Sequence, residues 1–359
     1  MKVLHVISSL EIGGAQRLLS DILPIQKRQG IDVSLLVLKS VDNEFCRKVK
    51  DAGVPIISLN VKSFRNPFLA FRVRSIIKEY DVVHAHLVHA LYICSLAAIG
   101  LKTKLIYTEH STSNNRRGKA YVRPIEKFIY DRYNKLISIS QQTQDALQDW
   151  LQSNDDRFIV INNGVDTKAF ANIHKEVIPK SLIMVSRFAS SKDQETVIKA
   201  MKELDDDVSL RFVGDGENLE HCKKVANDIR VGSRVQFLGA RSDVAGLIAE
   251  SYVGIQSSNW EGFGLTAVEI MACGKPIIAT DVNGLKQVVD GAGILFSVGD
   301  SLGLAKIINT ILNDNSLYES LSVKSKQRAA MYDINNTALQ YTSIYKKCSM
   351  TLPENKNGC

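Results

Sequence analysis

Short apolar runs rich in β-formers alternate with helix-patterned segments along the whole of this 359-residue chain. That alternation limits the fold more than any other feature. In the first half, strand-like runs fall at 3–7, 33–38, 56–59, 82–85, 105–108, 136–139 and 159–161. Helical spacing occupies 15–29, 44–52, 67–79, 88–99, 121–133 and 141–152 between them. A second series of strands follows at 182–186, 210–213, 235–238, 253–256, 277–279 and 293–295, and helices at 301–313 and 316–331 close it. Such alternation calls for parallel pairing, because each strand must cross over a helix before the next one joins the sheet. The expected class is α/β, with doubly wound sheets whose ligands sit beyond the carboxyl ends of the strands.

The chain is too long for one ordinary core, so two domains are expected. Residues 162–180, NNGVDTKAFANIHKEVIPK, contain the turn-forming Asn163-Gly164 and Pro179 and no strong periodicity. They separate a first domain at 1–165 from a second at 181–331, with 166–180 as the linker. A last helical segment at 335–347, within 332–348, is expected to lie back over the first domain, and the polar tail 351–359 to fray. No internal repeat is visible beyond the two similar architectures.

Hydrophobic and charged contents of 45% and 23% are ordinary for a soluble protein. No apolar run approaches the roughly 18 residues that would span a bilayer. MKVLHVISSL reads as a first strand, because Glu11 and a helix-like segment follow directly where a signal peptide would continue its apolar core. The six cysteines, Cys46, Cys94, Cys222, Cys273, Cys348 and Cys359, show no paired spacing. Neither a zinc site nor a disulfide framework is expected, and the chain reads as cytoplasmic. Charge is uneven. The first 165 residues hold 23 Lys and Arg against 15 Asp and Glu, and the remainder 22 against 23, within a net charge of +7. A basic first domain suits an anionic partner, either a membrane surface or a phosphorylated acceptor; a solvated face is the alternative.

The stretch at 257–280, SSNWEGFGLTAVEIMACGKPIIAT, concentrates the chemistry. A turn, Glu261-Gly262-Phe263-Gly264, leads into a helix expected from Leu265 to about Cys273, whose start offers N–H groups and a positive dipole end to an anion. Glu269 shares a helical face with Leu265, Ala272 and Cys273, so its carboxylate needs hydrogen-bond donors. Ligand hydroxyls, an internal ion pair and a helix cap are the competing accounts. Arg187 and Lys192 follow the first strand of the second domain and could clamp a diphosphate or lie solvated. Gly214 and Gly216 end the next strand, where a ligand could lie close to the main chain. Gly13-Gly14 stands at the first strand-to-helix turn, without the GxGxxG or GxxxxGK[ST] spacing. His110 ends the run LIYTEH, placed for hydrogen bonding or proton transfer, or as a structural histidine. His84, His86 and His89 have no interleaved carboxylate, and His89 lies beyond the turn, so no metal site is expected. In YVRPIEKFIYDRYNK (121–135), Ile125, Phe128 and Ile129 are expected to form one stripe flanked by Arg123, Lys127 and Arg132.

The order of these features is distinctive. GGAQR (13–17), HAH (84–86), TEH (108–110), ISIS with the following Gln (137–141), NNGVD (162–166), SRF…K (186–192), VGDGE (213–217), FLG…DV (237–244) and EGFGLTAVEIMACGKPIIAT (261–280) succeed one another over nearly the full length. The chain thereby resembles glycosyltransferase family 4, retaining transferases of the GT-B fold with two Rossmann-like domains facing a central cleft. The resemblance implies transfer of a hexosyl or N-acetylhexosaminyl group from a nucleotide sugar, UDP preferred, to a hydroxyl of a saccharide acceptor. A lipid-linked acceptor in cell-envelope polysaccharide assembly, at the inner face of the cytoplasmic membrane, is the expected setting. Glu269 would hold the ribose hydroxyls and Glu261 the donor sugar. Arg187 and Lys192 would bind the diphosphate, with Phe263, Gly264 and Leu265 presenting backbone amides. Gly14 would meet the donor on domain closure, and His110 would stand near the transferred sugar. No metal, no other cofactor and no nucleic acid are implied. Asp193 after Lys192 and Ile270 after Glu269 depart from the usual pattern. A sugar-nucleotide 2-epimerase of related architecture and a non-catalytic sugar-nucleotide-binding protein are the rival readings.

Overall fold

The computed structural model describes residues 1–350, apart from 12, 65, 67, 113–115 and 118. The tail expected to fray, and Pro67, where the third helix is expected to begin, lie outside the described residues. The chain divides into two compact units, residues 1–164 with 334 onward, and residues 165–333.

The first unit holds strands β1 (Lys2–Ile7), β2 (Asp32–Val37), β3 (Ile56–Ser58), β4 (Val82–His86), β5 (Lys104–Glu109), β6 (Lys135–Ser138) and β7 (Phe158–Val160). They form one seven-stranded parallel sheet in the order β3-β2-β1-β4-β5-β6-β7. The order reverses between β1 and β4, which marks the crevice where such sheets take ligands. Because both faces are covered, β1, β2 and β4 are buried on both sides rather than alternately. Helices α1 (Gly14–Arg28), α2 (Glu44–Asp51), α3 (Leu69–Ile77), α4 (Leu87–Ala97), α5 (Arg123–Tyr130) and α6 (Gln141–Leu151) supply the cover. Segment 121–133, expected as one helix, is a 3-10 turn at Ala120–Val122 followed by α5.

The second unit carries β8 (Ser181–Val185), β9 (Ser209–Val213), β10 (Val235–Phe237), β11 (Val253–Gln256), β12 (Ile277–Thr280) and β13 (Ile294–Phe296). They form a six-stranded parallel sheet in the order β10-β9-β8-β11-β12-β13, with its reversal between β8 and β11. Its helices are α7 (Thr167–Ala171), α8 (Gln194–Ala200), α9 (Leu219–Asp228), α10 (Val244–Glu250), α11 (Leu265–Ala272), α12 (Asn283–Val289), α13 (Ser301–Asn313) and α14 (Asn315–Ala330). The segment expected as a linker at 166–180 contains α7, capped by Asp166 and packed on α11 within this unit. Five residues are too few for a periodic signal, which is why it reads as a loop in the sequence.

The last helix, α15 (Ile334–Met350), packs against α1 and β4 and buries Ile334, Ala338, Tyr341, Tyr345 and Cys348 in the first unit. Each large apolar side chain covered in this way contributes roughly 1.5–3 kcal/mol.

The core of the first unit is partly polar. His5 on β1 and His84 and His86 on β4 are fully buried. Burial pulls His5 down to about 4 and holds His84 and His86 well below the ordinary imidazole range, with mutual repulsion adding to it for the latter two. The native state therefore keeps these rings neutral at a pH where the unfolded chain, with imidazole pKa values of about 6.5, takes up protons. Stability is fully present above about pH 6.5 and is lost as the pH falls towards 4. The urea midpoint should drop between pH 7 and pH 5, and less steeply in His5→Gln; a flat profile for the native chain over that range would contradict the buried neutral state.

Candidate functional site

Two strand-end loops meet at the reversal point of the second sheet. The loop after β8 is tied to the loop after β11 by backbone hydrogen bonds from Asn259 to the Ser191 carbonyl (2.9 Å) and from Asp193 to the Ser257 carbonyl (3.2 Å). Lys192 and Ser258 form an isolated antiparallel bridge between them, and Asn259 Nδ2 donates to the Ser190 carbonyl. This tie delivers Lys192 to Glu261. The Lys192 ammonium donates to the Glu261 carboxylate and, at 3.3 Å, to Ser258 Oγ, with both charged side chains about four-fifths covered. Asp193, one of the two residues that depart from the usual pattern, caps α8 by accepting from Thr196 N–H. Such a cap is worth about 1 kcal/mol.

Arg187 lies further out, its guanidinium donating to Glu217 at 3.2 Å. Its backbone is fixed from below, where buried Gln194 donates to the Arg187 carbonyl and to Ser186 Oγ, both at 3.0 Å. Gly214 and Gly216 are required for a reason internal to this unit. Their φ angles are +137° and +152°, and a Cβ on either would stand 2.0 Å from the Ser186 carbonyl oxygen or 2.3 Å from that of Phe188. The missing side chains at Gly214 and Gly216 thus admit the neighbouring loop.

The turn 261–264 enters α11 through Gly264, at φ +88°, with no capping side chain and no acidic residue in the first turn. The first-turn N–H groups and the positive end of the helix dipole therefore face outward from the helix start. Phe263 is buried edge-on against Tyr332, at 5.4 Å between ring centroids, which anchors the turn. A Cβ on Gly284, at the start of α12, would fall 2.2 Å from the Glu261 carbonyl oxygen, so α12 supports the turn from the other side. Gly284 is absent from the expected site. Its signal is Asn283-Gly284 just past a strand end, the same cue that drew attention to Gly14 and Gly214. Leu265 opens α11, and Glu269 lies one turn further on, buried.

In the first unit, Gly14 opens α1 beyond β1, and His110 follows β5. Glu109, the residue before His110, pairs with Arg117 at 2.7 Å and accepts from the Tyr130 hydroxyl at 3.2 Å, while burial raises its pKa. His110 Nε2 lies 3.1 Å from His86 Nδ1, and His86 Nε2 lies 3.0 Å from His5 Nδ1. Burial lowers His110 to about 4, so its ring is neutral. Leu87, just after His86, adopts the left-handed φ of +65° at the β4–α4 junction, a conformation that costs a bulky residue of order 1–3 kcal/mol. One nitrogen from each of His5, His84 and His86 falls within 4.8 Å of the others, a spacing that could hold a metal ion. All six ring nitrogens of that group already have hydrogen-bond partners. His5 and Gln26, far away in sequence, are the members of this group that motif reading misses. His89 stacks on Phe64 instead, at 4.2 Å.

Two Rossmann-like parallel-sheet units in one chain give it the GT-B architecture. Residues 12–169 match the model of Glycosyltransferase Family 4, and residues 166–328 match that of the Glycosyl transferases group 1. The chain belongs to the family 4 type of glycosyltransferase. It is 27% identical over 299 residues to the N-acetyl-alpha-D-glucosaminyl L-malate synthase of Bacillus anthracis, covering 78% of this chain and 77% of that one. It is 24% identical over 356 residues, 93% and 97% of the two chains, to a Campylobacter jejuni enzyme. That enzyme is the N-acetylgalactosamine-N,N'-diacetylbacillosaminyl-diphospho-undecaprenol 4-alpha-N-acetylgalactosaminyltransferase. The crystal structure of Anabaena HepE in complex with UDP and glucose superposes with a TM-score of 0.84 at 23% identity, covering 96% of this chain and 99% of that one.

The tightness of the loop contact at Gly214 is open to test. Gly214→Ala should destabilise the protein by at least about 1–3 kcal/mol from the backbone conformation alone, with the Ser186 contact added. Gly291→Ala, at φ +73° with open space around it, should cost only about 1–2 kcal/mol. Urea unfolding of the two variants reads the difference, and equal losses would show that the carbonyl contact yields.

Proposed function

We propose that this chain is a retaining glycosyltransferase that moves a hexosyl or N-acetylhexosaminyl group from a UDP-sugar to a hydroxyl of a lipid-linked saccharide in cell-envelope polysaccharide assembly. The observation that carries the reading is the tie between the β8 and β11 loops, which holds Lys192 on Glu261 just ahead of the uncapped start of α11. A lysine ammonium and the positive end of a helix dipole lie together there, a pairing that suits the charge of a diphosphate. The names of the Bacillus and Campylobacter relatives, and the UDP bound to HepE, support the sugar class, the lipid diphosphate acceptor and the donor nucleotide.

In this reading Glu269 accepts from the ribose hydroxyls and Glu261 from hydroxyls of the donor sugar. Arg187, Lys192 and the first turn of α11, with Phe263, Gly264 and Leu265, take up charge on the leaving diphosphate, and no step is routed through a metal. The loop at Gly14 and the His110 ring attend the sugar. The bond from C1 to the β-phosphate oxygen breaks, and the acceptor oxygen bonds to C1 on the same face. The acceptor's proton passes to the departing phosphate oxygen, and UDP leaves. Retention follows from this same-face return without a protein nucleophile.

Calorimetry with UDP tests the donor assignments. Loss of charge-assisted hydrogen bonds should make Glu269→Gln bind UDP about 10- to 100-fold more weakly. Lys192→Ala should weaken UDP more than uridine. Unchanged UDP affinity in Glu269→Gln would refute the ribose role. Incubation with a UDP-N-acetylhexosamine and no acceptor separates the epimerase reading, because stoichiometric conversion to the 2-epimer would overturn transfer.

The acceptor reading extends to an anionic bilayer. The expected stripe on α5 divides: Ile129 turns into the core with Tyr130 and Glu126, whereas Ile125 and Phe128 face solvent. Phe68 and Phe71 at the start of α3, Leu96 and Ile99 at the end of α4, and Tyr121 are also exposed, and α4 packs against both α3 and α5. Arg72, Lys78, Lys119 and Lys127 are exposed on the same segments. Aromatic side chains among exposed cations suit the headgroup region of anionic lipid. The chain should sediment with phosphatidylglycerol vesicles at low salt and release at high salt, and Ile125→Ser with Phe128→Ser should weaken this. No sedimentation at low salt would rule the surface out.

A further inference from the structure

The imidazoles of the first unit form a line whose hydrogen-bond direction can be followed atom by atom. Gln26 Oε1, on α1, lies 3.0 Å from His5 Nε2. His5 Nδ1 lies 3.0 Å from His86 Nε2, and His86 Nδ1 lies 3.1 Å from His110 Nε2. Gln26, His5 and His86 are fully buried, and His110 is the partly exposed end. Burial keeps all three rings neutral. A neutral imidazole has one N–H and one lone pair, so the direction at one end of the line sets it throughout. An amide oxygen only accepts. His5 therefore carries its proton on Nε2, and its Nδ1 accepts from His86 Nε2–H. His86 Nδ1 then accepts from His110 Nε2–H, which leaves a lone pair on His110 Nδ1.

A side branch is compatible with the same direction. The Tyr345 hydroxyl, on α15, lies 3.3 Å from His5 Nε2 and 2.6 Å from His84 Nδ1. It can accept from the first and donate to the second. His84 Nε2–H then donates to Thr108 Oγ1 at 2.7 Å, on the strand that delivers His110. The opposite amide orientation at Gln26 would reverse every bond of the main line and turn His110 Nδ1 into a donor. The direction is therefore a specific, checkable property.

We propose that Gln26 is a positioning residue that, through His5 and His86, holds His110 as its Nε2–H tautomer and presents Nδ1 as a hydrogen-bond acceptor to a hydroxyl of the transferred sugar. The line of imidazoles stands on geometry alone; the sugar hydroxyl rests on the glycosyl-transfer reading above. Free imidazole exchanges its two tautomers readily, and either could face a ligand. A buried amide removes that choice before the donor arrives, so the acceptor face of His110 is set in advance.

Long-range proton–nitrogen correlation spectra of the full chain labelled with 15N-histidine test this, with His110→Gln to assign the His110 signals. The native His110 is expected to show the Nε2–H pattern at pH 7. In Gln26→Met, which keeps the volume and loses the acceptor, the two tautomers should mix, with kcat for transfer about tenfold lower and KM for the acceptor unchanged. A native Nδ1–H tautomer would overturn the proposal, as would a Gln26→Met spectrum identical to the native one. If Gln26→Met does not fold, the native spectrum alone decides the direction. Mixed tautomers with undiminished kcat would uphold the role of Gln26 and count against His110 as a group that meets the sugar.

Discussion

Parallel pairing throughout both sheets is the constraint on which the rest depends. Every strand in a unit points the same way, so the loops that follow β1, β4 and β5 share one edge, and those that follow β8, β9 and β11 share another. Residues separated by tens of positions then become neighbours without any local sequence contact. Lys192 meets Glu261, and His86 meets His110, because the strands before them are adjacent and in register.

The energetic cost of these strand-end loops is met locally. The ion pair between Lys192 and Glu261 is about four-fifths covered and adds little stability of its own, since removing both charges from water offsets much of their attraction. Its neighbourhood is held by neutral backbone hydrogen bonds between the two loops, by the Asp193 cap and by the glycines that admit the Ser186 and Phe188 carbonyls. Charge can therefore change partner at this point while the loops keep their shape. In the first unit the same separation holds in another form. Burial excludes charge from the imidazoles, and side-chain hydrogen bonds keep them in place.

The two sheets, their strand count and the strand-end location of the candidate groups were legible in the sequence, because buried parallel strands read as apolar runs and glycines mark the turns that follow. Lys192 and Glu261 could be placed at strand ends, but their pairing depends on the β8–β11 adjacency, which no local pattern carries. The exposed faces of Ile125 and Phe128 were not separable from buried Ile129, since one helical turn of mixed residues is compatible with either rotation. Gly214 was noticed for its missing side chain, but the Ser186 carbonyl that this admits lies on another strand's loop, which no local pattern carries. The line from Gln26 to His110 was invisible, because it runs through α1, β1 and β4 and its polar members interrupt stretches that otherwise read as plain core.

The second unit is, in sequence, an insertion within the first. Residues 165–333 lie between Gly164 and Ile334, and these two flanking residues are packed so closely that a Cβ on Gly164 would come within 2.7 Å of the Ile334 Cα. Synthesis from the N-terminus therefore delivers a complete second unit before the first can finish its core. Until α15 emerges, α1 lacks the cover of Ala338, Tyr341 and Tyr345, and His84 lacks the Tyr345 hydroxyl. Strands β1 and β4 thus wait on α15, which is made only after the whole second unit, so a chain stalled near residue 333 would hold a finished second unit beside an open, aggregation-prone first one.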